Sequence, residues 1–212
     1  MVPMGPSTPE GRYPPEAGRV VRVRAPTWPV HVAVLSDTHV PRRARRLPPG
    51  LAAGLTGAAL VLHAGDLVCE DVLEELGAVA PVLAVAGNMD PPELARRLGR
   101  YLLVEVGPWR VGVTHGDLGR EGTTAERALA AFAREGPSAV DVVVFGHSHQ
   151  PFCSRDGGVL LLNPGSPTDP RREPRPTMGW LTLEGPTRAH APEGRIIPLG
   201  QDPQDPGVPR PR

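Results

Sequence analysis

Val30-His31-Val32-Ala33-Val34-Leu35-Ser36-Asp37-Thr38-His39 sets a pattern that the rest of the chain repeats. Six residues, mostly β-branched or aliphatic, run directly into a polar tip. Such a run is too short for a typical helix and has the length and composition of a strand, so Asp37 and His39 sit at a strand's C-terminal end. The same arrangement recurs four times. Residues 60–62 lead into His63-Ala64-Gly65-Asp66, and 82–86 into Gly87-Asn88-Met89-Asp90. Residues 111–113 lead into Thr114-His115-Gly116-Asp117, and 140–145 into Gly146-His147-Ser148-His149.

Further apolar runs at 102–106, 159–162 and 180–183 also read as strands, while 71–76, 93–98 and 123–134 carry helical patterns, the last opening on a Thr cap. Early βα alternation followed by tighter strand spacing predicts an α/β layered fold with mixed sheets. In open α/β sheets ligands bind beyond the strand carboxyl ends, so five tips scattered in sequence can meet at one site.

The rest of the chain narrows the choice. With 212 residues and 40% hydrophobic content it holds one sizeable core. Many of the 28 prolines crowd the two ends, so 1–29 and 186–212 read as flexible tails around a domain at 30–185. Basic and acidic residues balance at 23 each, which supplies no global field for a nucleic-acid backbone or an anionic membrane; nucleic acid is not indicated as a partner. No segment reads as a signal peptide or membrane span. Cys69 and Cys153 form no CxxC pattern, point to no disulfide framework or zinc-thiolate site, and read as packing residues; a reducing cytoplasm is the expected compartment. Association of the chain into a homo-oligomer is left open.

Asp37 and His39, like His147 and His149, are spaced by one residue, and in extended chain i and i+2 point to one side. Glycines at 65, 87, 116 and 146 remove bulk beside these groups. Carboxylate, imidazole and carboxamide donors together suit borderline divalent metals such as Mn²⁺, Fe²⁺, Zn²⁺ or Ni²⁺. A carboxylate can bridge two cations, and Asp66 is the candidate bridge.

The ordered motifs DTH, GD, GNMD, THGD and GHSH resemble those of the calcineurin-like metallophosphoesterase superfamily, and the HAGD form and small size are most similar to its bacterial and archaeal phosphodiesterase branch. Asn163-Pro164-Gly165-Ser166 resembles a loop of that branch. The resemblance implies a four-layer α/β/β/α sandwich of two mixed sheets flanked by helices, with two divalent metal ions, Mn²⁺ first among them. It puts Asp37, His39, Asp66 and His149 on one ion and Asp66, Asn88, His115 and His147 on the other. It also implies in-line attack by a metal-bound hydroxide on a small phosphoester substrate, with Asp66, Asn88 and His115 at the catalytic centre.

One departure refines this. Many phosphatases of the family carry histidine after the asparagine, as a proton donor to the leaving group, where this chain has Met89. Methionine is no general acid, which favours diesters with good leaving groups over monoesters. Asp90, which would support that histidine, and His63 are candidates for orienting the metal ligands. The basic run Arg42, Arg43, Arg45 and Arg46 reads as a solvated helix or loop face, with contact to substrate phosphate as the alternative, Asp117 and Ser166 compete between assisting the site and forming turns or caps, and Trp109 and Trp180 read as core or interface groups. The alternatives are a phosphomonoesterase of the same family or a non-catalytic interaction scaffold.

Overall fold

The computed structural model describes residues 19–25, 27–133 and 140–200. Its elements run β1 (Arg19–Val23), β2 (Val30–Leu35), α1 (Pro49–Gly54), β3 (Leu60–His63), α2 (Asp71–Gly77), β4 (Val82–Ala84), α3 (Pro92–Leu98), β5 (Tyr101–Val106), β6 (Trp109–Thr114), α4 (Thr124–Ala133), β7 (Val142–Val144), β8 (Phe152–Asp156), β9 (Val159–Asn163), β10 (Thr177–Leu183) and β11 (Glu193–Pro198). They build two sheets, ordered β1-β5-β6-β7-β9-β8 and β11-β10-β2-β3-β4. Both are mixed: β2, β3 and β4 pair in parallel, as do β6, β7 and β9, while β10 pairs antiparallel with β2 and with β11.

The strands read as unbroken apolar runs because both faces of each sheet are covered. Val32, Val34, Leu60 and Leu62 point between the sheets and meet Val142, Val144, Leu160 and Leu162 there. Their odd-phase neighbours Ala33, Leu35 and Val61 face outward, against Leu51, Leu55, Val72, Leu76, Leu94 and Leu98 of α1–α3. On the other sheet Val143 and Leu161 face outward against Ala128 and Phe132 of α4. Period-two alternation thus divides each run between two cores, which gives the four-layer α/β/β/α order. Thr123 caps α4: its Oγ1 accepts from the Glu126 N–H at 3.2 Å, and Glu126 Oε2 accepts from the Thr123 N–H at 2.6 Å.

Several boundaries differ from the sequence reading. The segments read as flexible tails each contribute a strand. β1, Arg-Val-Val-Arg-Val with exposure alternating along it, pairs with β5, and β11 pairs with β10 and buries Ile197. Proline density hid these strands, although β1 contains no proline and β11 only Pro198 at its end. The rest of the proposed tails, 1–18 and 201–212, lies outside the described residues. β8 is exposed along its whole length, so it offered no apolar run, and its Cys153 is exposed where packing was expected. Trp109 and Trp180 are buried.

Candidate metal centre

Because β2, β3 and β4 are parallel, their C-terminal tips emerge at one edge of their sheet, and those of β6 and β7 do so on the sheet facing it. Hydrogen bonds join the two edges. His115 Nδ1–H donates to the Ala64 carbonyl at 2.7 Å, and the His147 N–H donates to Asp37 Oδ2 at 2.9 Å. Two glycines allow this approach. A Cβ on Gly146 would lie 1.8 Å from Ser36 Oγ, and one on Gly87 would lie 2.0 Å from Asp66 Oδ1.

Asp37, His39, Asp66, His147 and His149 all adopt positive φ, between 46° and 70°. Non-glycine residues avoid this region, and holding five of them there needs a surrounding structure that over-determines them. The paired ligands therefore converge through left-handed turns and not, as their spacing suggested, along extended chain.

The donor atoms face one another. Asp37 Oδ1 lies 3.2 Å from His149 Nε2, 3.8 Å from His39 Nε2 and 4.0 Å from His115 Nε2. Asp66 Oδ2 lies 3.6 Å from His39 Nε2 and 3.4 Å from His115 Nε2. Two compact sets result, Asp37/His39/His149 and Asp37/Asp66/His115, all buried. Asp37 is common to both, whereas the sequence reading shared Asp66; Asp66 Oδ2 nonetheless faces one imidazole of each set. Asn88 and His147 pair at the solvent side, Oδ1 to Nδ1 at 3.1 Å, with the His147 ring edge-on to His115 at 5.2 Å.

These residues fit a cation. Asp37 Oδ1 and His115 Nε2 are buried without a hydrogen-bond partner among the described residues, although each points at the other's cluster. His149 Nδ1–H donates to the Asp169 carbonyl at 2.5 Å, and with His115 Nδ1–H likewise engaged, both Nε2 lone pairs are turned inward. The protonation balance shows the same demand for positive charge. Burial opposes ionisation of Asp37, yet the imidazoles of His149 and His39 hold its carboxyl far below the usual range. Burial likewise opposes charge on His115, but the Asp66 and Asp37 carboxylates carry it up to about 9. Asp66 is lowered against its burial by His115 and the Met89 N–H. Where no ion compensates the carboxylates, a proton does.

The supporting groups differ in part from expectation. Among the described residues His63 makes no hydrogen bond to Asp66: its Nδ1 accepts from the Gly65 N–H and its Nε2 meets Thr38 Oγ1, each at 3.2 Å, so it ties the loops after β2 and β3 together. Asp90 accepts three backbone N–H groups, from Asp66 at 3.0 Å, Val68 at 2.6 Å and Gly87 at 2.8 Å. Burial raises its pKa, and those donors pull it back. Asp117 ion-pairs with Arg100, which also donates to the Gly87 carbonyl at 2.8 Å. Ser166 Oγ donates to the Asp37 carbonyl at 2.7 Å, and Thr168 Oγ1 to that of Thr38 at 2.6 Å. Thr168 and the Asp169 carbonyl were missed by sequence reasoning. Backbone acceptors leave no trace in residue identity.

The sequence profile of the calcineurin-like phosphoesterase superfamily domain matches residues 30–185. The chain belongs to this superfamily. It is 40% identical over 158 residues, 73% of this chain and 86% of its relative, to a probable metallophosphoesterase of Methanothermobacter thermautotrophicus. Among solved structures, Vacuolar Protein Sorting 29 from Cryptosporidium parvum matches with a TM-score of 0.63 at 22% identity, covering 80% of this chain and 97% of that one. Wild-type Vps29 from Entamoeba histolytica, complexed with Zn²⁺, matches with a TM-score of 0.61 at 25% identity, covering 81% and 100%. The chain is thus similar in sequence to a probable metallophosphoesterase and in fold to proteins named for sorting. Among the described residues, no helix of this superfamily member is long and apolar enough to cross a membrane.

Proposed function

We propose that the chain is a phosphodiesterase whose centre holds two divalent ions, with Asp37, His39, Asp66 and His149 around one and Asp66, Asn88, His115 and His147 around the other. The observation that carries this reading is the meeting of two buried carboxylates with three inward-turned imidazoles, two of whose polar atoms have no hydrogen-bond partner among the described residues. When bound, the ions would supply Lewis-acid charge to the phosphoryl group and acidify water. The chain's own residues do the rest. Asp90 and His63 fix the loops that present Asp66 and Asp37. Ala64 and Asp169 set the tautomers of His115 and His149. Asn88 and His147 lie at the open side, where substrate enters. Met89 is 41% exposed beside them and offers no proton, so the leaving group must depart largely unassisted. This supports aryl and other activated diesters as substrates over alkyl monoesters.

Similarity to Vps29 supports a second reading, a binding scaffold. Metal uptake does not separate the two, because the Entamoeba protein was solved with Zn²⁺. Turnover does. Purified protein loaded with Mn²⁺ is expected to hydrolyse bis(p-nitrophenyl) phosphate faster than p-nitrophenyl phosphate and to lose activity on chelation. Metal binding with no turnover of either ester would favour the scaffold.

A further inference from the structure

The two segments that emerge beside His39 and His149 are unusually basic. Residues 41–47, Pro-Arg-Arg-Ala-Arg-Arg-Leu, follow His39, and residues 169–176, Asp-Pro-Arg-Arg-Glu-Pro-Arg-Pro, begin at the residue whose carbonyl receives His149 Nδ1–H. Together they hold seven arginines against two carboxylates in a chain of zero net charge. They are fastened to one place. The Arg43 N–H donates to the His39 carbonyl at 2.8 Å, and Arg43 Nε lies 3.6 Å from Asp169 Oδ2. Ser166 and Thr168 bond the backbone of Asp37 and Thr38 from the other side.

Arg43 and Asp169 neutralise each other, but Arg42, Arg45, Arg46, Arg171 and Arg172 are exposed and make no side-chain hydrogen bond or ion pair among the described residues. Some exposed arginines elsewhere find carboxylates, Arg97 with Glu70, Arg188 with Asp141 and Arg22 with Glu105, while Arg24, Arg96 and Arg120 make no ion pair among the described residues. Five exposed guanidiniums, carried on two segments that meet at Arg43 and Asp169, offer an anion several cationic partners. Arginine is also the side chain best shaped to grip phosphate. The second segment is stiffened by Pro170, Pro174 and Pro176 and by the Glu173 N–H donating to the Pro170 carbonyl at 2.9 Å, so part of the ordering cost of binding is met beforehand.

We infer that this arginine rim is a subsite for a second phosphate, making the substrate a phosphoester that carries at least one further phosphate group beyond the one at the metal centre. The inference rests on the phosphoesterase reading of that centre and adds the chemical class of the substrate. The two arginine segments lie beside His39 and His149, while Met89 and Leu118, both exposed, lie on the loops that Arg100 holds together.

The test is a binding measurement with two alkyl monoesters, which a centre lacking a general acid turns over slowly. Calorimetry on the Mn²⁺-loaded protein compares thymidine 3′,5′-bisphosphate with thymidine 3′-phosphate, in wild type and in a variant combining Arg42→Gln, Arg45→Gln, Arg46→Gln, Arg171→Gln and Arg172→Gln. The bisphosphate is expected to bind about tenfold tighter to wild type, with an advantage that shrinks as salt rises, and about equally in the variant. Thymidine 3′-phosphate should bind both proteins alike. Equal affinities in wild type, an advantage that survives the five substitutions, or an equal loss for both ligands would each overturn the subsite. Turnover of an aryl diester, measured in parallel, reports separately on the phosphoesterase reading. Its absence alongside an intact bisphosphate preference would sink the activity and leave the subsite standing.

Discussion

The Met89 N–H donates to Asp66 Oδ1 at 2.7 Å, so the residue in the place of the family's proton donor supports the candidate bridging carboxylate through its backbone alone. Its side chain is 41% exposed and makes no contribution to that bond. Met89→His should therefore leave stability within about 0.5 kcal/mol, as exposed substitutions usually do. It should raise the rate on alkyl esters by about tenfold or more and leave aryl esters nearly unchanged, because only poor leaving groups need a proton. The check is the dependence of rate on leaving-group pKa, which should flatten in the variant. An unchanged dependence would show that protonation comes from elsewhere.

Asp66→Asn separates charge from shape. The amide oxygen can still accept from Met89, while an amino group replaces the Oδ2 that lies 3.4 Å from His115 and 3.6 Å from His39. The variant is expected to fold, to bind fewer than two Mn²⁺ per chain by elemental analysis, and to lose about 10³-fold or more in activity on aryl diesters. Full metal occupancy with retained turnover would remove Asp66 from the centre.

His63 predicts an acid sensitivity. Burial pushes its imidazole from 6.5 down to about 3, and Nδ1 must stay unprotonated to accept from Gly65. Below about pH 6.5 the unfolded chain therefore takes up a proton that the folded chain refuses. Stability should fall as pH drops from 6.5 to about 3, by about 1.4 kcal/mol per pH unit from this residue. Denaturant unfolding of the chelated protein between about pH 6 and pH 4 should show a slope shallower by that amount in His63→Gln. Equal slopes would mean that His63 titrates normally in the fold.

The C-terminal strand tests the correction to the domain boundary. Ile197 is 5% exposed and packs with Leu51, Leu55 and Met178 in the outer core. Ile197→Ala should cost about 2–4 kcal/mol, read as a shift in the urea midpoint without a change in slope. A loss below about 0.5 kcal/mol would return residues 193–198 to the status of a dispensable tail.

The limits of sequence reading follow from where each piece of information is stored. β2, β3 and β6 were legible because strands buried on both faces become continuous apolar runs, and the ends of those runs are marked by residues no core would choose. β1 and β11 were not, because each is exposed along part of its length and owes its place to the free edge of β5 or β10. A half-exposed edge strand carries little pattern of its own. α1 escaped because six residues beginning at Pro49 give less than two turns of periodicity.

Residue identity alone carries the donor chemistry proposed for the centre. Coordination requires particular side chains, and the proposed ligands Asp37, His39, Asp66, Asn88, His115, His147 and His149 are encoded at or just beyond strand tips. How those donors meet is set by folding. Folding placed Asp37 in both candidate ligand sets, turned five candidate ligand residues into left-handed backbone, and set Asp90 to hold three N–H groups from two loops. It also brought the Asp169 carbonyl to His149 and two arginine segments to one rim. These are relations between chain segments as many as 130 residues apart, made largely through backbone atoms that every residue shares, so no local pattern can record them.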